Sequence, residues 1–236
     1  MMAEPSSSTP RFLTEAAEKR LGALAKAILD SDRSCHDWDH TLRVKTTALR
    51  LGALEHADPE VLAAAAILHD IARPQEMADQ GQSDHAELGA QKASEILVRE
   101  GIGDDDFRAH VAACIRTHRY RTRTGEPPAT IEAKVLFDAD KLDSLGAIGL
   151  ARAFHFAGKT GARVHNTPEE ALAGNSYGRE DSALREFLVK LQHLPDRLLT
   201  DAGRKIGAER LAFMRDFFAR LDRECACRDS HTILPQ

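Results

Sequence analysis

The chain has 236 residues, 42% hydrophobic and 29% charged, with 37 acidic side chains against 32 Lys and Arg for a net charge of −5. That length suits one large domain or two small ones, and the acidic balance excludes a general nucleic-acid binder, whose footprint is basic. No run approaches the roughly 18 apolar residues that span a bilayer, the first ten residues lack the charged and apolar regions of a secretory signal, and the four cysteines form no disulfide framework. The cytoplasm is the expected compartment.

Residues 1–12 are rich in Ser and Pro and are expected to be disordered. Glu15 to Leu29 then places Ala16, Leu21, Leu24, Ala25 and Ile28 at helical spacing. Leu42, Val44, Ala48 and Leu49 mark a second helix, with His40 at the edge of its apolar face. A third begins at Asp58-Pro59, a cap followed by proline at the first helical position, and runs through the greasy stretch Val61–Leu68 into His69-Asp70. Asp84 should cap a helix starting at His85, with Glu87 closing a capping box and Gly101 stopping it. Val111, Ala112, Cys114 and Ile115 define the next helix, which His118 ends, and Ile131–Phe137 leads into Asp138-Ala-Asp140-Lys141-Leu142-Asp143.

Thr167-Pro-Glu-Glu170 is a further capping box. Two long amphipathic segments follow, one with Leu184, Phe187, Leu188 and Leu191, the other with Leu211, Phe213, Met214, Phe217, Phe218 and Leu221. Gln75–Ser83, Arg119–Thr130 and Gly158–Arg179 read as irregular, and lids and substrate loops are drawn from such segments. Period-two alternation is absent over any useful length, so the fold is expected to be all-α: one multi-helix domain over residues 13–224, its C-terminal helices packed on the core, and a tail at 225–236. Cys225-Ala-Cys227 with His231 lacks a fourth ligand and reads as part of that solvent-facing tail.

His69-Asp70 carries the chemistry. A carboxylate at the end of an apolar helix loses several kcal/mol of hydration, of the order expected for a buried ion, unless something positive replaces the water. A divalent metal does so, since neutral imidazole and carboxylate both ligate one. Further candidates recur in order: His40, His85, His118 and Asp140. His36 lies one helical turn before His40. Asp138, Asp140 and Asp143 compete for the last acidic position, and residues two apart on a helix diverge by about 200°, so Asp138 and Asp140 cannot both face one ion. No Ser-His-Asp arrangement or P-loop is present.

The segments His40-Thr-Leu-Arg-Val44, Leu68-His69-Asp70-Ile71-Ala72 and Ala139-Asp140-Lys141-Leu142 resemble the HD superfamily of metal-dependent phosphohydrolases. Asp84–Ala90, Ile115–Tyr120 and Asp138–Ile148 are similar to its small stand-alone branch of YedJ- and YpgQ-like nucleotide pyrophosphohydrolases. The resemblance covers roughly residues 30–195 and implies an HD-type helical bundle with a C-terminal helical extension. It implies a metal held by His40, His69, Asp70 and Asp140, with His69 and Asp70 central to catalysis; Arg73 and Lys141, close in sequence to Asp70 and Asp140, are the catalytic candidates for reaching a metal-bound phosphate. His85 and His118 would hold a second ion or a substrate phosphate, while His36 and Asp143 would support the ligands from behind. Arg119, Arg121 and Arg123 are candidate phosphate contacts, because guanidinium suits phosphate by bidentate geometry.

Mn²⁺, Fe²⁺, Ni²⁺, Co²⁺ or Mg²⁺ all suit such mixed ligands. The implied substrate is a phosphorylated small molecule, foremost a nucleoside triphosphate cleaved to monophosphate and pyrophosphate. The alternatives are a phosphomonoesterase or phosphodiesterase of the same superfamily, or a metal- and nucleotide-binding module without turnover. Some relatives have an acidic residue a few positions after the His-Asp pair. Arg73-Pro74 stands there in this chain, leaving the general base unassigned.

Overall fold

The structure, a computed structural model, describes residues 12–30, 36–119 and 126–226. Arg121 and Arg123, the N-terminal segment up to residue 11, and Cys227 and His231 lie outside the described residues. Every regular element among the described residues is helical, so the fold is all-α. None of these helices is long and apolar enough to cross a membrane. The chain divides into two compact units, residues 1–136 and 137–236.

The first unit contains α1 (Glu15–Leu29), α2 (Trp38–Glu55), α3 (Pro59–Leu68), α4 (Arg73–Ala78), α5 (His85–Arg99), α6 (Asp105–Thr117) and the start of α7 (Ile131–Leu142). Its centre is α3, where every residue from Val61 to Leu68 is buried and α1, α2 and α6 pack against it. Asp58 caps this helix through the amides of Glu60 and Val61, with Pro59 in the first turn as the sequence implies. Four alanines (Ala63–Ala66) let the neighbouring helices approach closely around it. α5 and α6 form the most extensive helix pair. α5 starts at His85 under an Asp84 cap and gives way to Gly101, which has φ 64°. Glu87, expected to close a capping box, instead accepts from Arg116 Nε at 2.9 Å, because a guanidinium on the paired helix outcompetes a neutral amide.

The second unit holds the end of α7, then α8 (Gly146–Thr160), α9 (Pro168–Ala173), α10 (Ala183–Val189), two 3-10 turns at Leu191–His193 and Pro195–Arg197, and α11 (Asp201–Cys225). The Thr167–Glu170 capping box forms as expected. Three further expectations change, the first being that Gly158–Arg179, read as irregular, holds the end of α8 and all of α9. Gln75–Ala78, read as irregular, belongs to α4, where Pro74 in the first turn favours a helical start. The first of the two long amphipathic segments is short: α10 ends at Val189, and Leu191 sits in a 3-10 turn leading to Pro195.

Candidate metal centre

Helix ends supply most of the site. The last carbonyls of a helix lack intrahelical partners, and two histidines exploit this. His69 follows the last residue of α3, and its Nδ1 lies 2.8 Å from Ala66 O; His118 follows α6 likewise, with Nδ1 2.6 Å from Ile115 O. A carbonyl only accepts, so Nδ1 of both rings donates to it, which turns Nε2 toward the Asp70 carboxylate. Those two Nε2 atoms each lie 3.5 Å from the Asp70 carboxylate, His69 on Oδ2 and His118 on Oδ1. Asp70 itself is reached through the tight turn that follows α3, where Arg73 N bonds Asp70 O at 2.9 Å.

The N-terminal ends of helices deliver the others. Asp37 caps α2 by accepting from His40 N at 2.8 Å, which seats the fully buried His40 ring with Nε2 3.7 Å from Asp70 Oδ2 and 3.3 Å from His69 Nε2. His36, just before that cap, has Nδ1 2.9 Å from the same Oδ2. His85, first residue of α5, has Nε2 3.7 Å from Asp70 Oδ1. Asp70 is thus a hub, with His36, His40 and His69 facing one oxygen and His85 and His118 facing the other. Donor atoms of His36, His40 and Asp70 lie within 4.8 Å of one another, and so do those of His69, Asp70 and His118.

The electrostatics suit a cation. Burial alone would push the Asp70 carboxyl up, but His69 and Arg73, with the contacts from His118 and His36, hold it well below the usual carboxylate range. Burial pushes His36 down to about 4 against the pull of Asp70, and pushes His85 down to about 2, helped by His118. Both rings are therefore neutral near pH 7, the state a metal requires. Asp70 Oδ1 is buried with no hydrogen-bond donor, and an unsatisfied buried carboxylate oxygen is costly. A divalent ion fits this donor set and would relieve that cost.

Cations and a second acid flank the hub. Arg73 Nε lies 3.6 Å from Asp70 Oδ1, and Arg119 Nη1 lies 2.9 Å from Asp84 Oδ2. Glu76, absent from the sequence-based candidates, is buried among them: Arg73 Nη1 donates to Oε2 at 2.8 Å, Arg119 Nη2 reaches Oε1 at 3.1 Å, and His85 Nδ1 is 2.9 Å from Oε2 though not aligned for a hydrogen bond. The available signal was its i,i+3 spacing from Arg73 on one helical turn, hidden while Gln75–Ser83 was read as irregular.

In the second unit Asp140 pairs with Lys141 Nζ, which also lies 5.1 Å from the centre of the Phe137 ring. Asp143 accepts from Arg152 Nη1 at 2.8 Å. Asp138 has a different occupation. Its Oδ1 accepts from Leu199 N at 2.8 Å, and its Oδ2 from Thr200 N and Oγ1 at 2.8 and 2.7 Å, so it braces the start of α11. Gly203 is required there, since a Cβ would collide with Asp138 Oδ2.

Comparison with known proteins places the chain in a family. The HD-domain family model matches residues 37–145. YpgQ of Bacillus subtilis (strain 168) is 33% identical over 208 residues, covering 88% of this chain and 93% of YpgQ. Its crystal structure in complex with ADP superposes with a TM-score of 0.65 at 30% identity, over 88% of this chain and 94% of that one. An HD-superfamily hydrolase from Bacillus thuringiensis gives 0.69 at 30% identity, over 90% and 98%. The chain belongs to the HD superfamily of metal-dependent phosphohydrolases, in its YpgQ-like branch.

Proposed function

We propose that this enzyme hydrolyses a nucleoside triphosphate to the monophosphate and pyrophosphate. One observation carries the reading: a buried Asp70 ringed by histidines has the Arg73 guanidinium 3.6 Å from one oxygen, and Glu76 ties that guanidinium to the one of Arg119. A metal centre alone serves many phosphoesters. Two fixed fork-shaped cations next to it suit a substrate with several phosphates in a row. The B. subtilis relative crystallised with ADP supports a nucleotide.

His40, His69, Asp70 and Asp140 are the proposed ligands; the family match runs through residue 145 and so includes Asp140. His85 and His118 are proposed to hold a second ion or a phosphate oxygen, and His36 and Asp143 to orient ligands. A divalent ion bound there supplies Lewis-acid polarisation of a phosphoryl oxygen and a lowered pKa for water. Arg73, Arg119 and Lys141 offset the charge that builds on the transferring group. Arg121 and Arg123 are proposed as additional phosphate contacts. Manganese is the metal to supply first, and the cytoplasm is the proposed compartment, on the sequence's lack of a disulfide framework.

A screen of nucleotides with Mn²⁺, read for both phosphate and pyrophosphate, tests the reading. Pyrophosphate with a nucleoside monophosphate is the expected product pair. Phosphate alone would make the protein a phosphomonoesterase and overturn it.

A further inference from the structure

The Glu76 carboxylate sits where two cations and an imidazole meet. It lies on α4, one turn after Arg73, and is 6% exposed. Oε2 accepts from Arg73 Nη1 at 2.8 Å and lies 2.9 Å from His85 Nδ1, while Arg119 Nη2 is 3.1 Å from Oε1. These partners come from three separate places in the chain: the start of α4, the start of α5 and the residue after His118. Each also faces the hub or its rim. Arg73 Nε is 3.6 Å and His85 Nε2 3.7 Å from Asp70 Oδ1, and Arg119 is braced on its other side by Asp84, the cap of α5.

A buried carboxylate with so many partners is either an ion pair for stability or a template. Buried ion pairs are weak stabilisers, because desolvation offsets most of the Coulombic gain. A template role uses the same contacts better. Free guanidiniums swing on long flexible stems, and fixing them beforehand removes the entropy cost of ordering them on a ligand. Glu76 also offsets two adjacent positive charges that would otherwise repel each other and spread apart.

We propose that Glu76 is a positioning residue that sets the Arg73 and Arg119 guanidiniums for a chain of phosphates lying against the Asp70 centre. The proposal rests on the phosphohydrolase reading of the site, and Glu76 acts through the arginines rather than in the bond-breaking step.

Inorganic tripolyphosphate binding to the Mn²⁺-loaded protein, measured by calorimetry, tests it without turnover. Glu76→Gln should weaken that binding by about tenfold or more, the scale of a lost charge-assisted contact, and Glu76→Asp should recover part of it. Mn²⁺ affinity and the thermal midpoint should stay close to wild type. In turnover, KM should rise about tenfold while kcat changes by less than roughly fivefold, the pattern of lost uniform binding. Once Arg73 and Arg119 are both glutamine, Glu76→Gln should add less than about twofold.

Unchanged tripolyphosphate binding in Glu76→Gln, or none in wild type, overturns the proposal. So does a fall in kcat at constant KM, which would put Glu76 in the chemistry, or a loss confined to melting temperature, which would make it structural only. If Glu76→Gln does not fold, Glu76→Asp takes its place in the same measurements: weakened tripolyphosphate binding supports the proposal and unchanged binding overturns it. Tripolyphosphate binding that depends on Glu76 in a protein that releases no pyrophosphate would sink the proposed function and leave this inference standing.

Discussion

His36 Nδ1 lies 2.9 Å from Asp70 Oδ2, nearer than any other histidine nitrogen comes to that carboxylate. The ring is partly exposed, with 29% of its side chain accessible, so it stands at the rim with one face on the hub. Its bond fixes the rotation of Asp70, and with it the direction of the opposite oxygen. Removing such an orienting partner costs about 10–100-fold in metal affinity in comparable sites. His36→Ala should therefore weaken Mn²⁺ binding by that order, measured by calorimetry, while the helix content stays at wild-type level. Unaltered Mn²⁺ affinity would mean that Asp70 needs no such support.

Asp70 is the one group that every histidine of the cluster faces, and His69 is held by its own helix through Ala66 O. His69→Ala and Asp70→Ala should each abolish turnover. Both residues lie past the last residue of α3, and the apolar packing of that helix is left intact, so circular dichroism should report most of the native helix. Substantial activity in either purified, Mn²⁺-supplied variant would refute the assignment of the centre.

Much of this was legible in the sequence because the relevant signals are local. Asp58-Pro59, Asp84 before His85, and Thr167-Pro-Glu-Glu170 mark helix starts through bonds spanning two or three residues, and all three starts form. The His and Asp positions of the first unit were readable for the same reason: most sit at helix ends that capping residues announce. What stayed hidden depends on partners distant in the chain. Glu76 looks like an ordinary loop acid until Arg119 and His85 come beside it, 43 and 9 residues away. Glu87 lost its expected local bond to Arg116 of the paired helix. Asp138 competed with Asp140 on spacing alone, yet its amide donors lie 61 and 62 residues further on.

The neutral histidines give stability a pH dependence with a definite sign. His36 is pushed down to about 4 and His85 to about 2, from an ordinary value of 6.5. Between about pH 4 and 6.5 the unfolded chain takes up protons at both rings and the folded one does not, so stability falls as pH falls through that window. The benefit is fully present above pH 6.5. Each group contributes about 1.4 kcal/mol per pH unit inside it. Asp70 acts in the same direction below its ordinary range, since its folded carboxyl is held down. The metal-free protein should thus melt several degrees lower at pH 5 than at pH 7, by calorimetry or circular dichroism. A midpoint that is flat or rises on acidification would show that these rings protonate freely in the folded state.

Asp138 separates bracing from ligation. Its two oxygens receive the amides of Leu199 and Thr200 and the Thr200 hydroxyl, all at hydrogen-bond distance, and Thr200 Oγ1 in turn accepts from Gly203 N at 3.0 Å to cap α11. Burial pushes its carboxyl up, and these same donors pull the other way. Asp138→Ala would strand buried donors at the start of a 25-residue helix, and each stranded group costs about 1–3 kcal/mol. A loss of roughly 3 kcal/mol or more is expected in denaturant unfolding. Asp138→Asn keeps one of the two acceptor oxygens and should recover part of that. Because the Asp138 oxygens are already committed to α11, Asp138→Asn should bind Mn²⁺ as tightly as wild type under conditions where it is folded. A Mn²⁺ affinity lost in Asp138→Asn without any loss of stability would instead make Asp138 the acidic ligand and displace Asp140 from that place.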